Sequence, residues 1–86
     1  MTILARTPEQ IGHAIRQARL DQGLNQTQLA QKAGTFQNAI SNIETGHPGV
    51  RLDTILRVLA ALNLDFVIQP RASDARSIDA MLEDLL

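Results

Sequence analysis

A run of amide and hydroxyl side chains between residues 37 and 45 has the composition of a surface that hydrogen-bonds to base edges. On a helix these side chains fall within an arc of about 140°. An ordinary solvated helix face instead carries Glu, Lys and Arg, which favour helix formation more than amides do. Because an amide donates and accepts at once, it suits bidentate contact with an adenine edge in the major groove. The alternative is a plain polar surface. The predicted base-reading residues are Gln37, Asn38, Ser41 and Asn42.

Two short helices joined by a tight turn would position this surface. Asn25 is a good N-cap for the first helix, and Gln28 three residues later completes a capping-box pattern. Gly34 supplies the turn after that helix. The apolar stripe of the first helix consists of Leu29, Ala30 and Ala33.

The second helix carries Ile40 and Ile43 on the face opposite the amides. Phe36 lies beside them if the helix begins that early, and core packing is the preferred interpretation of this side chain. Contact with a thymine methyl group is the alternative.

A helix is predicted on each side of this pair. Thr7, Pro8 and Gln10 match the N-cap, N1 and N3 positions of the upstream helix, which ends near Gly23. Its apolar stripe is Ile11, Ala14, Ile15 and Ala18. The downstream helix runs from about residue 52 to 62, and its predicted buried face is Leu52, Ile55, Leu56, Leu59 and Leu62.

Residues 64–69 are rich in strand-forming residues, with apolar side chains at every second position. Pro70 ends this run. A single strand cannot satisfy its own backbone, so we expect it to pair with the same strand of a second copy across a two-fold axis. Pairing with residues 2–4 of the same chain is the alternative. The predicted dimerisation residues are Leu64, Phe66, Val67 and Ile68.

Residues 16–62 resemble the lambda-repressor and Cro type of helix-turn-helix domain, also called the XRE family. The match rests on Arg19, Asn25-Gln26, Gln28-Leu29-Ala30, Ala33-Gly34, Ile40-Ser41-Asn42-Ile43-Glu44 and Gly46. The resemblance implies double-stranded DNA as a partner, and an ion pair between Arg19 and Glu44. It also implies contacts with the DNA backbone, which are assigned to Gln26, Gln28, Lys32, Arg19 and Thr45.

Over residues 8–71 the chain is similar more narrowly to HipB-type antitoxins. The run from Leu52 to Leu64 and the following Asp-Phe-Val-Ile-Gln-Pro-Arg carry this closer match. It implies a homodimer that binds an inverted-repeat operator, represses its own operon and holds a HipA-like kinase toxin. The alternative is a stand-alone transcriptional regulator without a toxin partner.

The net charge of −1 combines a basic body with an acidic tail. Residues 1–71 carry +2 and residues 72–86 carry −3. Ser77 can cap a short C-terminal helix, which is too short to be stable alone in water. Its apolar stripe would bind a protein partner such as a toxin, pack on the dimer or remain mostly disordered, and these alternatives stay open. The stripe is Ile78, Met81, Leu82, Leu85 and Leu86.

The sequence therefore predicts a mainly all-α, lambda-repressor-like bundle of four helices with a dimerising strand and a short C-terminal helix. Its expected parts are an N-terminal arm (1–7), the helix-turn-helix domain (8–63), the strand (64–70) and the linker with its helix (71–86). With no cysteine, no catalytic motif and no ligand set beyond His13 and His47, we expect neither an enzyme nor a metal or cofactor site. Without a signal peptide or membrane span, the expected location is the cytoplasm.

Overall fold

The computed structural model describes residues 3–71, and this part of the chain folds into four α-helices, as predicted. The helices are α1 (Pro8–Asp21), α2 (Gln26–Ala33), α3 (Gln37–Glu44) and α4 (Leu52–Ala61). Within residues 3–71 there is no β-strand, so the described fold is all-α. The predicted C-terminal helix, with Ile78, Met81, Leu82 and Leu85, lies outside the described residues. No helix within residues 3–71 has the length and apolar composition that crossing a membrane requires.

The first two helices start with the caps that the sequence predicts. The Thr7 hydroxyl accepts a hydrogen bond from the backbone N–H of Gln10 at 3.1 Å. Asn25 and Gln28 form a reciprocal capping box, with the Gln28 N–H donating to Asn25 Oδ1 at 2.7 Å and the Asn25 N–H donating to Gln28 Oε1 at 2.8 Å. Both caps satisfy N–H groups that have no partner inside the helix. The starting points of α1 and α2 are therefore determined by residues close to them in the sequence.

Each helix ends with a residue in the left-handed backbone conformation. These residues have φ values between 60° and 77°. After α3, the N–H of Gly46 donates to the Ile43 carbonyl at 3.1 Å and the N–H of His47 donates to the Asn42 carbonyl at 2.9 Å. This pair of bonds is a Schellman motif, and the other three helix ends repeat it. The left-handed residues are Gly23, Gly34, Gly46 and Asn63.

The core lies where α3 packs against both α1 and α2, while α4 packs on α2. Aliphatic side chains build it, in keeping with an aromatic content of only two phenylalanines. Ile40 and Ile43 of α3 are buried as predicted, at 0% and 3% exposure. The largest fully buried side chains are Ile15, Leu29, Ile40, Val58 and Leu62.

The predicted buried face of α4 is only partly correct. Leu62 is buried and Ile55 and Leu59 pack partly against the core, but Leu52 and Leu56 are 60% and 43% exposed. The residues that α4 buries instead are Thr54 and Val58. The apolar arc of α4 is wider than the surface it can cover within one chain, and hydrophobic periodicity does not show which edge of such an arc faces the core.

The expected core position of Phe36 is wrong, because its side chain is 80% exposed. The helix begins at Gln37, and Phe36 is the extended N-cap residue with φ −106° and ψ 154°. An extended residue does not continue the helical stripe of Ile40 and Ile43. Its side chain therefore leaves the core and faces outward beside the start of α3.

Residues 64–70 belong to no helix and form no strand ladder with any other part of the described chain. The alternative of pairing with the N-terminal segment is absent for residues 3–6, since no backbone hydrogen bond joins the two segments. All four predicted dimerisation side chains are exposed, from 39% for Leu64 to 89% for Ile68. Pairing with a second copy remains a prediction.

Candidate nucleic-acid interface

The exposed face of α3 brings together the residues predicted to read bases. Gln37, Asn38 and Asn42 are exposed and Ser41 is partly exposed. The opposite face of the helix is buried, so the face that carries the amides is directed toward solvent. The surface formed by Gln37, Asn38, Ser41 and Asn42 is called the amide face below.

A buried ion pair fixes the end of α3 against α1. Arg19 donates through Nε to Glu44 Oε2 at 2.7 Å and through Nη2 to Glu44 Oε1 at 2.9 Å. Its Nη1 donates to the backbone carbonyl of Leu24 at 2.9 Å. Both residues are only 7% exposed. This confirms the ion pair that the family resemblance implies, and its two parallel bonds are the strong bidentate arrangement.

The environment of Arg19 also keeps it charged. The hydrogen bond with Glu44 raises the pKa of the Arg19 guanidinium, and this outweighs the opposite effect of desolvation. The Arg19 guanidinium therefore carries its positive charge at physiological pH.

The ion pair is continued by a chain of side-chain amides that reaches the amide face. Gln26 Nε2 donates to Glu44 Oε1 at 3.2 Å, and Gln37 Nε2 donates to Gln26 Oε1 at 2.6 Å. Helices α1, α2 and α3 are thus connected by four side chains in sequence. The first amide of α3 is held in one orientation before any ligand arrives. Its Oε1 forms no hydrogen bond within residues 3–71, and the residue is exposed.

One of the predicted DNA-backbone contacts does not fit this geometry, and the side chain of a second forms local hydrogen bonds within α3. Arg19 is buried and its donors are directed to Glu44 and Leu24, so its proposed contact with a phosphate is not supported. The Thr45 hydroxyl donates to the carbonyls of Ser41 and Asn42 at 2.9 and 3.2 Å. Thr45 is nevertheless exposed, and its contact with the DNA backbone stays a prediction. The Arg19 side chain holds α3 at its C-terminal end instead.

The remaining predicted backbone contacts lie on α2. Lys32 and Gln28 are exposed, and Gln26 is partly exposed at the first turn of the helix. Lys32 forms no ion pair with any residue between 3 and 71. A cation and a helix N-terminus on one element favour binding of phosphate groups.

Sequence reasoning missed the packing role of two glycines that set the distance between α1 and α3. A Cβ on Gly12 of α1 would overlap the carbonyl oxygen of Ile43, and a Cβ on Gly46 would lie 2.7 Å from Glu9 Cγ and 2.8 Å from Glu9 Cα. Gly12 therefore lets α1 approach the backbone at the end of α3, and Gly46 lets the turn after α3 approach the backbone of α1. The signal for Gly12 was its position inside a helix, where glycine costs about 1 kcal/mol relative to alanine.

Two amphipathic helices joined by a left-handed glycine, the second presenting polar side chains outward, define a helix-turn-helix protein. A helix-turn-helix family model matches residues 15–68, which is well over half of the chain. The chain belongs to this helix-turn-helix family.

Its relatives place the chain among HipB-like members of that family. Antitoxin HipB of Escherichia coli strain K12 is 32% identical over 62 residues, which cover 72% of this chain and 70% of that protein. The solved "Structure of HipA-HipB-O2-O3 complex" contains a chain that matches with a TM-score of 0.71 and 30% identity, over 77% of this chain and 93% of that chain.

A relative with a different description is at least as similar in sequence. The uncharacterized HTH-type transcriptional regulator y4mF of Sinorhizobium fredii is 37% identical over 57 residues, which cover 66% of this chain and 75% of that protein.

Proposed function

We propose that this chain is a sequence-specific DNA-binding repressor that acts as the antitoxin of a HipA-like kinase toxin. As a homodimer it binds an inverted-repeat operator and represses its own operon. The amide face reads bases, while Gln26, Gln28 and Lys32 contact the DNA backbone. The protein works in the cytoplasm by binding alone, without catalysis.

The observation that carries the DNA-binding part is the pre-oriented Gln37 amide. Its Nε2 is held by Gln26, which is held in turn by the buried Glu44. Unpaired side chains lose rotamer freedom when they bind, and this opposes association. Because the hydrogen-bonded chain already orders Gln37, less of that loss remains to oppose contact with a base edge. This arrangement suits a recognition helix whose N-terminal residues enter the major groove.

Replacing Gln37 by alanine tests base reading. We expect the variant to lose about 1–3 kcal/mol of binding free energy for a selected duplex and much less for random duplex DNA. Lys32→Ala is the control, and it should weaken both duplexes alike and flatten the salt dependence. Fluorescence anisotropy titrations at several salt concentrations provide the measurement. Equal losses on both duplexes for Gln37→Ala would contradict base reading by this residue.

The dimer is supported by the exposed segment 64–68. Its side chains leave a large apolar area open to solvent, and its backbone forms no hydrogen bonds within residues 3–71 beyond that of Leu64. An apolar segment whose backbone groups are unpaired readily forms a strand pair with another chain. Pairing of two such segments about a two-fold axis gives two recognition helices, as an operator with half-sites about 34 Å apart requires.

Phe66→Asp is expected to convert the dimer to a monomer, because pairing of the two segments would bury an uncompensated carboxylate from each. Sedimentation velocity measures the mass directly. Asp65→Asn, a change at the neighbouring residue that removes rather than adds charge, is the control and should remain dimeric. A Phe66→Asp variant that sediments as the wild type would refute pairing through this segment.

The antitoxin part is supported by the likeness to HipB and to a chain of a HipA-HipB complex. Its experiment is to co-express the full chain with a HipA-like kinase encoded beside it, and to measure growth and co-purification. Rescue of growth with a stable complex is the expected result. Operator binding without rescue or complex would favour the second candidate, a stand-alone regulator, to which the likeness to y4mF points.

A further inference from the structure

Phe36 is the one large apolar side chain that the structure places at the edge of the amide face. It immediately precedes Gln37, the first residue of α3, and it is 80% exposed. A phenylalanine with this exposure has no packing role within residues 3–71. Its position needs an explanation from outside the fold.

The choice of phenylalanine also weakens the helix that it precedes. Phe36 occupies the N-cap of α3, where Ser, Thr, Asp and Asn are favoured, and it forms no side-chain capping bond. The N-cap of α2 carries a complete capping box by contrast. A residue that lowers local stability while most of its side chain stays exposed is typical of a position selected for binding.

We infer that Phe36 contacts the 5-methyl group of a thymine in the major groove and makes the protein selective for a T·A pair at that position. This inference rests on the proposed DNA-binding function. The N-terminal residues of a recognition helix lie nearest the base edges. Among the groups that base pairs present in the major groove, the thymine methyl is the apolar one, and an aromatic side chain is a suitable partner for it.

The structure further restricts which base pairs Phe36 meets. The Gln37 amide is fixed toward Gln26 on the α2 side, at 2.6 Å. Phe36 is one residue earlier and has left the helix through its extended backbone. It therefore extends the reading surface beyond the first helical turn, and the thymine that it contacts should flank the base pair read by Gln37.

The experiment removes the methyl group from the DNA rather than the side chain from the protein. The full chain first selects its preferred duplex from a randomised pool. Each thymine of that duplex is then replaced singly by deoxyuridine, which lacks only the 5-methyl group. Loss of one methyl contact corresponds to about a fourfold loss of affinity. We expect this loss at one thymine in each half-site, and about fifteenfold when both are replaced.

Two variants connect that loss to Phe36. In Phe36→Asn the affinities for thymine and deoxyuridine duplexes should become equal, while Phe36→Leu, which keeps an apolar side chain, should retain part of the difference. Because asparagine caps helices well, Phe36→Asn should also raise the thermal midpoint by about 4–8 °C. A purely structural role for Phe36 would instead lower the midpoint.

The outcomes separate this inference from the function on which it rests. If the chain selects no sequence from the pool, the proposed DNA reading fails and the role of Phe36 fails with it. If the chain selects a duplex but the deoxyuridine scan is flat, or if the sensitivity persists in Phe36→Asn, only the role of Phe36 is overturned.

Discussion

Replacing Glu44 by alanine is expected to destabilise the protein by about 3–5 kcal/mol. The change leaves the Arg19 guanidinium buried without its counter-ion, and an uncompensated buried charge has a cost of this size. A domain of this length has a total stability on the order of 4–13 kcal/mol. The loss therefore removes a large part of it, and chemical denaturation in urea at neutral pH measures the difference.

The exposed pair of Arg51 and Asp53 provides a matched control. It is also a two-bond guanidinium–carboxylate pair, with both distances at 3.1 Å. Its side chains are 80% and 54% exposed, however, against 9% and 3% for Arg19 and Glu44. Because exposed pairs contribute about 1 kcal/mol or less, Arg51→Ala should change stability little. Equal losses in Glu44→Ala and Arg51→Ala would show that burial of the pair has no energetic consequence.

A double variant distinguishes stability from the orientation of α3. Replacing Arg19 by methionine and Glu44 by leucine together removes both charges and keeps an apolar core. Such replacements often restore stability. The folded double variant should nevertheless bind selected DNA more weakly than the wild type, because Gln26 loses the acceptor that holds it in place. Wild-type affinity in that variant would mean that the chain from Glu44 to Gln37 does not prepare the amide face.

The parts of this fold that the sequence predicted well depend on local chemistry. The N-caps at Thr7 and Asn25 and the turn at Gly34 are confirmed, because each involves residues within three or four positions of one another. The pairing of Arg19 with Glu44, across 25 residues, could not be derived locally. Its prediction came from family resemblance.

The predictions that failed concern side chains whose burial the sequence pattern alone does not determine. Leu52 and Leu56 extend an apolar arc that is wider than the part covered by α2, so periodicity marked them as core. Phe36 was assigned to the core because the start of α3 was uncertain by one residue, and a single extended residue removes it from the helical stripe. For Arg19, the resemblance gave the correct partner, while the burial of its side chain argues against the additional phosphate contact.

The second large effect is expected from Gly46→Ala, at the turn that ends α3. Its left-handed backbone, with φ +77°, costs an alanine about 1–2 kcal/mol. The added methyl group would also lie 2.8 Å from Glu9 Cα and 3.0 Å from Glu9 N. Since these are backbone atoms of α1, the helix itself must move, and such overpacking costs about 1–3 kcal/mol more. We expect a total loss of about 2–5 kcal/mol in urea denaturation.

Gly34→Ala isolates the first, conformational contribution, because Gly34 forms the same Schellman turn at φ +71° with nothing within 4 Å of an added Cβ. It should lose only the conformational part, and equal losses at both glycines would show that the contact with Glu9 imposes no constraint.

Gly12→Ala tests the close packing of α1 against the end of α3 at a second point, where the backbone has no left-handed strain. Alanine in a helix is ordinarily more stable than glycine by about 1 kcal/mol. A loss of stability there, accompanied by weaker binding of selected DNA, would show that the close approach of α1 to α3 positions the amide face.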